Sequence, residues 1–597
     1  MSARSMARAH ERELNRERRR WTRRAKRAGV GAAAAIGASI ALAPAANAAN
    51  FVVNSNNDAA QTPCDATCTL RDAVGAANAD ATLDTITFAP SVTGEIEING
   101  GLGQIDIEAA TTIQGPGAGV LALDGYDASG LLGVDTDVVG APYDPVKISG
   151  LTLRNGAGQD GAALVTTLSD TTLDSVAVRS NTPANGAIYA DGGSLTVLGS
   201  TFAANAATSD GGAIYTDDDN AINGDGQSKL IVRDSTFVGN TAATSGGRGG
   251  AIYVGESTDS VVITGSTFTG NNASYDGGGI LIEGAKTGAI RIENSTITGN
   301  NAGDDGGGIA ILSKYDRPVA IANSTISGNV AGDTGGGVFN NAIDGESDPG
   351  SVDDVSVSSS IVAGNQADVG PDLGTRVPQP MDDPATGSFV TGFSLIGNPA
   401  GALISESPAG SNLLGADPQL GGLADNGGPT KTMLPAETSP AVDAGIANGL
   451  TVDQRGLPRT VRKRFTLPPG GDGTDIGAVE LQDEGLAGVT VEAEKKQQLK
   501  GKKVVITVLA GADEDVKATG SGSVKAGKAK SKLKKVTKTV TGGKLAKLKL
   551  VPKSKKASKA IAAAIKDGKK GKAKLKVTLT DPAGNTVTEK PKVTLKG

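Results

Sequence analysis

Apolar and polar positions alternate in short runs along the middle of the chain, and the runs return at a nearly fixed spacing. Ser200-Thr201-Phe202 leads through Asn205 to Gly211-Gly212-Ala213-Ile214-Tyr215, and Ser235-Thr236-Phe237 leads through Asn240 to Gly249-Gly250-Ala251-Ile252-Tyr253. The phrase recurs at Ser266, Ser295 and Ser324, and in weaker form at Ser360. A period of roughly 29 to 36 residues is that of a solenoid, in which each unit buries its apolar face only by stacking on the next. Each repeat divides into a Gly-Gly-x-Ile strand, a second strand such as Ser260-Val261-Val262-Ile263-Thr264, and a third around Ser266-Thr267-Phe268. Three short strands per coil predict an all-β, right-handed parallel β-helix of about ten coils from about residue 85 to 400, stacked at about 4.8 Å.

The repeated residues fall into columns with physical reasons. Phe202, Phe237, Phe268, Ile297 and Ile326 should stack inward and supply much of the core. Asn205, Asn240, Asn271, Asn300, Asn329 and Asn365 should form a ladder at a turn, each amide bonding the next coil and tolerating a left-handed backbone. The Gly pairs permit the bend into the next strand. Ahead of the repeats, Leu70, Ala73, Val74 and Ala77 follow helical spacing behind Thr69 and Asp72, which resemble a capping box. A helix near 69–78 would cover the end of the apolar core.

Charge divides the chain. Residues 1–48 carry 11 basic against 3 acidic residues, 49–484 carry 18 against 53, and 485–597 carry 29 against 8. The near-neutral total therefore hides an acidic body and a basic tail. The first segment reads as a signal peptide, with an Arg-rich start, an Ala-rich apolar stretch from Val30 and a cleavage site near Ala48. An uncleaved anchor is the alternative. Cleavage would remove His10 and Trp21, the only residues of their kinds, and with them any imidazole chemistry. A secreted or cell-surface location also suits a local disulfide between Cys64 and Cys68, since two thiols alone make an incomplete metal site.

In the tail, Lys544 to Leu550 and Lys572 to Val577 alternate Lys with apolar residues, which predicts strands with one cationic face. Asp581-Pro582-Ala583-Gly584-Asn585 is a turn, and Ser554 to Lys566 a helix closed by Gly568. A separate, small Lys-rich β-sandwich-like domain is expected. The resulting division is 1–48, a β-helix over 49–400, its end over 401–484, and the Lys-rich domain over 485–597.

The Gly211-Gly212-Ala213-Ile214 and Phe202-Ala203-Ala204-Asn205 phrases resemble the repeats of polymorphic outer-membrane proteins, which are β-helix surface adhesins. Cys68-Thr69-Leu70-Arg71-Asp72-Ala73 is similar to the CSLREA motif that opens a family of exported bacterial β-helix proteins. Four ordered blocks, Leu423 to Thr430, Ser439 to Gly445, Asp453 to Gly456 and Asp475 to Glu480, resemble the choice-of-anchor Q domain. Members commonly carry a sorting or anchoring element after it, whereas no LPxTG motif and no apolar helix follows here. Together these resemblances imply an exported surface rod.

Two function classes follow. One is a non-catalytic structural or adhesive rod of the cell envelope, monomeric and without a resident cofactor. Its basic tail would bind anionic cell-wall polymers or surface glycans; a tail without aromatics offers nucleic acid no stacking platform. The other is a carbohydrate-active β-helix enzyme, a lyase or hydrolase, working with carboxylates and calcium. For it the candidate catalytic residues are Asp217, Asp218 and Asp219, and the candidate metal ligands Asp276 and Asp305. Arg248, Arg291 and Lys314 are the scattered bases available to it.

Overall fold

The computed structural model describes residues 48–59, 63–79, 82–136, 143–217, 228–284, 288–312, 318–341, 354–376, 387–483, 485–499 and 503–597. The leader therefore lies outside the described residues, apart from Ala48. From Asn50 to Leu414 the strands of the long sheets pair in parallel, in-register ladders. One sheet holds 12 strands, from Gly94–Glu97 to Leu413–Leu414, so the coils run further than expected and span about 53 Å at the usual strand spacing. The Gly-Gly strands and the second strands build the other two faces, which merge where Leu164–Asp174 and Ile188–Leu198 each run through both. The winding is that of a right-handed parallel β-helix. Pairing also begins earlier than expected: Asn50–Val53 lies beside Asp84–Phe88. Four residues are too short a run for alternation to declare itself.

The inward column is as its apolarity requires. Phe202, Phe237, Phe268, Ile297 and Ile326 are fully buried, and the three rings stack at 4.7 and 4.6 Å. The left-handed residue of the Asn turn, however, is the one before each ladder Asn: Gly239, Gly270, Gly299 and Gly328 have φ of 63 to 71°, and Ala204 has 52°. The Asn side chain must point inward, and the preceding residue turns the backbone to let it. The Gly pairs serve two needs. Gly211 has φ of 63°, while a Cβ on Gly212 would lie 2.2 Å from the Gly250 carbonyl oxygen of the next coil.

Helix α1, Leu70–Ala77, opens with the Thr69–Asp72 capping box and buries Leu70, Ala73, Val74 and Ala77 in the same core as the first coils. Arg71 fastens it: its guanidinium donates to both oxygens of Asp58 at 2.7 Å and to the carbonyls of Gly103 and Gln104. Cys64 and Cys68 are joined in a disulfide just before it.

After Leu414 the chain leaves the solenoid and runs back along its outside. Ile446 and Gly477 bond Ser359, Asn448 bonds Asn323, Arg459 bonds Asn294, and Gln454 and Thr430 reach Ser266 and Gly265. Residues 415–483 contain no helix or strand beyond isolated bridges. Their apolar contribution is small: Ala441, Ala444 and Ile476 pack on Ile361, Ala363 and Leu395.

The Lys-rich tail has its own core. A three-stranded sheet (490–492, 506–511, 546–550) and a seven-stranded one enclose it, and helix α2, Lys555–Lys566, covers it with Ile561, Ala562 and Ile565. Alternation is strict in Gly571–Thr580, where Ala573, Leu575 and Val577 face inward and Lys572, Lys574 and Lys576 face water.

Candidate functional site

At the bend into each Gly-Gly strand, one residue precedes the left-handed glycine. From coil to coil these are Asp160, Asn185, Asp210, Arg248, Asp276, Asp305, Thr334 and Val369. The carboxylates act as acceptors for the backbone of the coil that follows. Arg248 N donates to Asp210 Oδ1 at 2.9 Å, Asp305 N to Asp276 Oδ1 at 3.1 Å, and Thr334 N to Asp305 Oδ1 at 2.9 Å. The stack thus has a structural purpose. It also concentrates charge.

Asp276 and Asp305, the two metal candidates, are brought together, and Asp304 joins them: one oxygen of each lies within 4.8 Å of the others. Burial raises the Asp276 carboxyl to about 7, with the charges of Asp305 and Asp304 adding to it against the bond from Asp305 N. Burial likewise raises Asp305 to about 6, aided by Asp304 and Asp333. An all-oxygen cluster of this kind suits a hard cation such as calcium. Asp304 escaped the sequence reading because only one of its neighbouring coils carries an acid in the same place.

On the other side of Asp276 stands Arg248. Its guanidinium pairs with Glu283, approaches Asp210 at 3.7 Å and lies 5.2 Å from the Tyr253 ring centroid, while the Tyr253 hydroxyl donates to Glu283. Burial works to lower the Arg248 pKa, but Tyr253, Glu283 and Asp210 outweigh it and raise it further above its ordinary value. A guanidinium held charged in this way is a poor proton acceptor. Tyr189, Tyr215 and Tyr253 stack at 5.1 and 4.7 Å, and Leu281, Ala310 and Phe339 continue the column. That places the tyrosines in packing among themselves.

Of the catalytic candidates, Asp217 ends the Ile214–Asp217 strand, with the Tyr215 hydroxyl at 3.4 Å and Ser257 N at 3.4 Å. Asp218 and Asp219 lie outside the described residues, as does Lys314. Arg291 is on the exposed side of its strand, away from the bend column. The Asn candidates form a continuous ladder: each Nδ2 donates to the next Oδ1 at 2.8 to 2.9 Å, from Asn205 through Asn329 to Asn365. Two features went unread. Asn181 extends the ladder by one coil, and Ser200, Ser235, Ser266, Ser295, Ser324, Ser360 and Ser394 form a second one, each Oγ accepting from the serine N–H of the coil before it where one precedes.

Because the folded chain holds protons on Asp276 and Asp305 that the unfolded chain releases near pH 4, their stabilisation is complete below pH 4. It is lost as pH rises toward 7. Asp276→Asn keeps the acceptor for Asp305 N and removes the ionisation. In chelator, calorimetry should find the variant more stable than wild type by about 2 kcal/mol at pH 8 and equal to it at pH 4. An unchanged difference across that range would contradict the buried, protonated state.

Residues 199–217 and 234–255 match the Chlamydia polymorphic membrane protein repeat. Among solved structures, the crystal structure of pectate lyase Pel9A aligns with 73% of this chain and 97% of that one, at 14% identity and a TM-score of 0.39. No curated protein matches. Among the described residues, no helix is long and apolar enough to cross a membrane. Two coils of this parallel β-helix are thus similar to a polymorphic membrane protein repeat.

Proposed function

We propose that the chain is an exported, non-catalytic rod of the cell envelope, structural or adhesive in role, held there by the binding of its basic domain to anionic cell-wall polymers or surface glycans. The observation that carries this is the arrangement of lysines on the seven-stranded sheet. Lys530, Lys525 and Lys572 lie directly opposite one another across three strands, and Lys574 lies opposite Lys592. All five are exposed, and no lysine of this domain makes an ion pair among the described residues. Like charges directly opposite weaken a sheet, so the rows cost stability unless a polyanion neutralises them. The Chlamydia repeat match supports a place at the surface. Against a lyase stands Arg248, which acts on Asp276 among the described residues and is already committed to Glu283 and Asp210.

Lys525→Glu with Lys574→Glu places each new carboxylate opposite lysines. The double variant should be as stable as wild type or more so by about 0.5 kcal/mol. Its retention on immobilised poly(glycerol phosphate) at about 0.15 M salt should nevertheless fall about tenfold, and wild-type retention should weaken as salt screens the lysines. Equal retention of the two proteins would overturn the reading. Release of unsaturated products or new reducing ends from polyuronates, with or without calcium, would replace it by the enzyme.

A further inference from the structure

Where the return segment meets the basic domain, three carboxylates from separate stretches converge. Asp483 stands at the end of the acidic body, Glu514 in the turn between Ile506–Gly511 and Val516–Ala526, and Asp581 just after Gly571–Thr580. One oxygen of each lies within 4.8 Å of the others. Proximity of acids alone would mean little on so charged a surface. Asp581, though, is not on the surface: it is 2% exposed.

The partners of this carboxylate account for only half of it. Asp581 Oδ1 accepts from the backbone N–H groups of Gly584 and Asn585 at 2.6 and 2.7 Å, whereas Oδ2 is buried and accepts from nothing among the described residues. A buried oxygen of an ionised carboxylate costs several kcal/mol when no donor or cation meets it. The neighbours deepen the deficit. Asp483 Oδ1 accepts from Gly485 N, its Oδ2 from the Asn585 side chain at 2.7 Å, and Glu514 Oε1 meets Ala487 N at 3.4 Å. Lys463, the cation that acts on Glu514, has its Nζ on both oxygens of Glu437 at 2.9 Å. Burial, together with Asp483 and Asp581, raises the Glu514 carboxyl.

We propose that Asp483, Glu514 and Asp581 bind a calcium ion that clasps the basic domain to the end of the return segment, with Asp581 Oδ2 as its buried ligand. The donors are all oxygens, which selects a hard cation. They come from three separate stretches, which suits the flexible six- to eight-fold coordination of calcium better than the strict octahedron of magnesium. Water and neighbouring carbonyls would complete the sphere. The clasp is independent of what the lysine face binds, since the two are tested by different probes.

The test uses the mature full-length chain, freed of metal with chelator and titrated with calcium chloride. Calcium should bind at this site in the micromolar to millimolar range, raise the unfolding temperature of the basic domain by about 5 °C, and slow proteolysis between residues 483 and 499. Asp483→Asn with Glu514→Gln should abolish all three responses while leaving the metal-free circular dichroism unchanged; both positions are partly exposed, so the variant folds. Asp276→Asn with Asp305→Asn should leave the three responses in place, which separates this site from the acidic bend of the rod. No response in wild type up to 10-fold above that range, or one that survives in Asp483→Asn/Glu514→Gln, would overturn the clasp and leave Asp581 Oδ2 to an ordered water.

Discussion

Asn271→Asp should cost the rod about 3–5 kcal/mol at pH 7, although it exchanges one nitrogen for one oxygen. Asn271 is 1% exposed and its side chain makes four hydrogen bonds. Its Oδ1 accepts from Asn240 N at 3.0 Å and from Asn240 Nδ2 at 2.9 Å, and its Nδ2 donates to the Phe237 carbonyl at 3.1 Å and to Asn300 Oδ1 at 2.8 Å. Every interior member of the ladder must therefore both accept and donate. A carboxylate keeps the acceptor and turns its second oxygen, with charge, toward two oxygens to which the amide had donated. The ladder's own end shows the rule. Asn365 N and Nδ2 donate to Asp372 Oδ1, and Asp372 Oδ2 accepts from Asn398 N, so the last member accepts only and is an aspartate. Denaturant unfolding should find Asn271→Asp several times more damaging than Asp372→Asn, expected at about 1–2 kcal/mol. Equal costs would mean that the ladder's direction does not matter.

That contrast also explains how far the sequence was legible. Columns that repeat are readable, because Phe202, Phe237 and Phe268 or Asn240, Asn271 and Asn300 present the same residue at the same phase, and stacking is the one structure in which that phase has meaning. The serine ladder carries the same signal, yet Ser-Thr pairs are common in strands and the role of Oγ as an acceptor for the neighbouring coil leaves no compositional mark. Clusters that arise between columns are harder. Glu283 reaches Arg248 and Tyr253 from just past the strand Ile280–Ile282, 35 and 30 residues away, and nothing in the repeat places it there. The cation candidates Asp276 and Asp305 were visible as recurring acids, while their raised pKa values depend on the depth of the bend.

The return segment lies at the opposite extreme from the repeats. Lacking strands, it must satisfy a buried irregular backbone by other means, and it does so with acids. Asp443 accepts from the N–H groups of Lys463 and Arg464, Asp475 from those of Asp443 and Leu481, and Glu480 from those of Val461 and Asp475. These residues belong to the blocks Ser439 to Gly445 and Asp475 to Glu480, so the two blocks are, in physical terms, sets of backbone acceptors.

Arg459 is the counter-charge of that network, and Arg459→Met should release the segment from the rod. Its side chain is fully buried. Nη2 donates to Asn294 Oδ1 at 2.7 Å and to the Ala478 carbonyl at 3.1 Å, Nη1 donates to the Gly477 carbonyl at 3.2 Å, and Glu480 lies 4.0 Å away. Methionine fills much of the volume and takes one donor from each of those oxygens, and the Glu480 carboxyl, which burial already raises to about 8, loses the Arg459 charge that opposes that rise. Losing three buried hydrogen bonds from a charged donor costs about 3–5 kcal/mol in all. The loss falls on one region: the small apolar patch of Ala441, Ala444 and Ile476 cannot hold the segment unaided. Proteolysis should therefore cut Arg459→Met between residues 416 and 482 at least tenfold faster than wild type, with the far-ultraviolet dichroism of the coils intact. Arg459→Lys should fall between the two, since it keeps the charge but cannot span Asn294 and two carbonyls at once. Cleavage no faster than wild type in Arg459→Met would show that the acids and the apolar patch hold the segment without it.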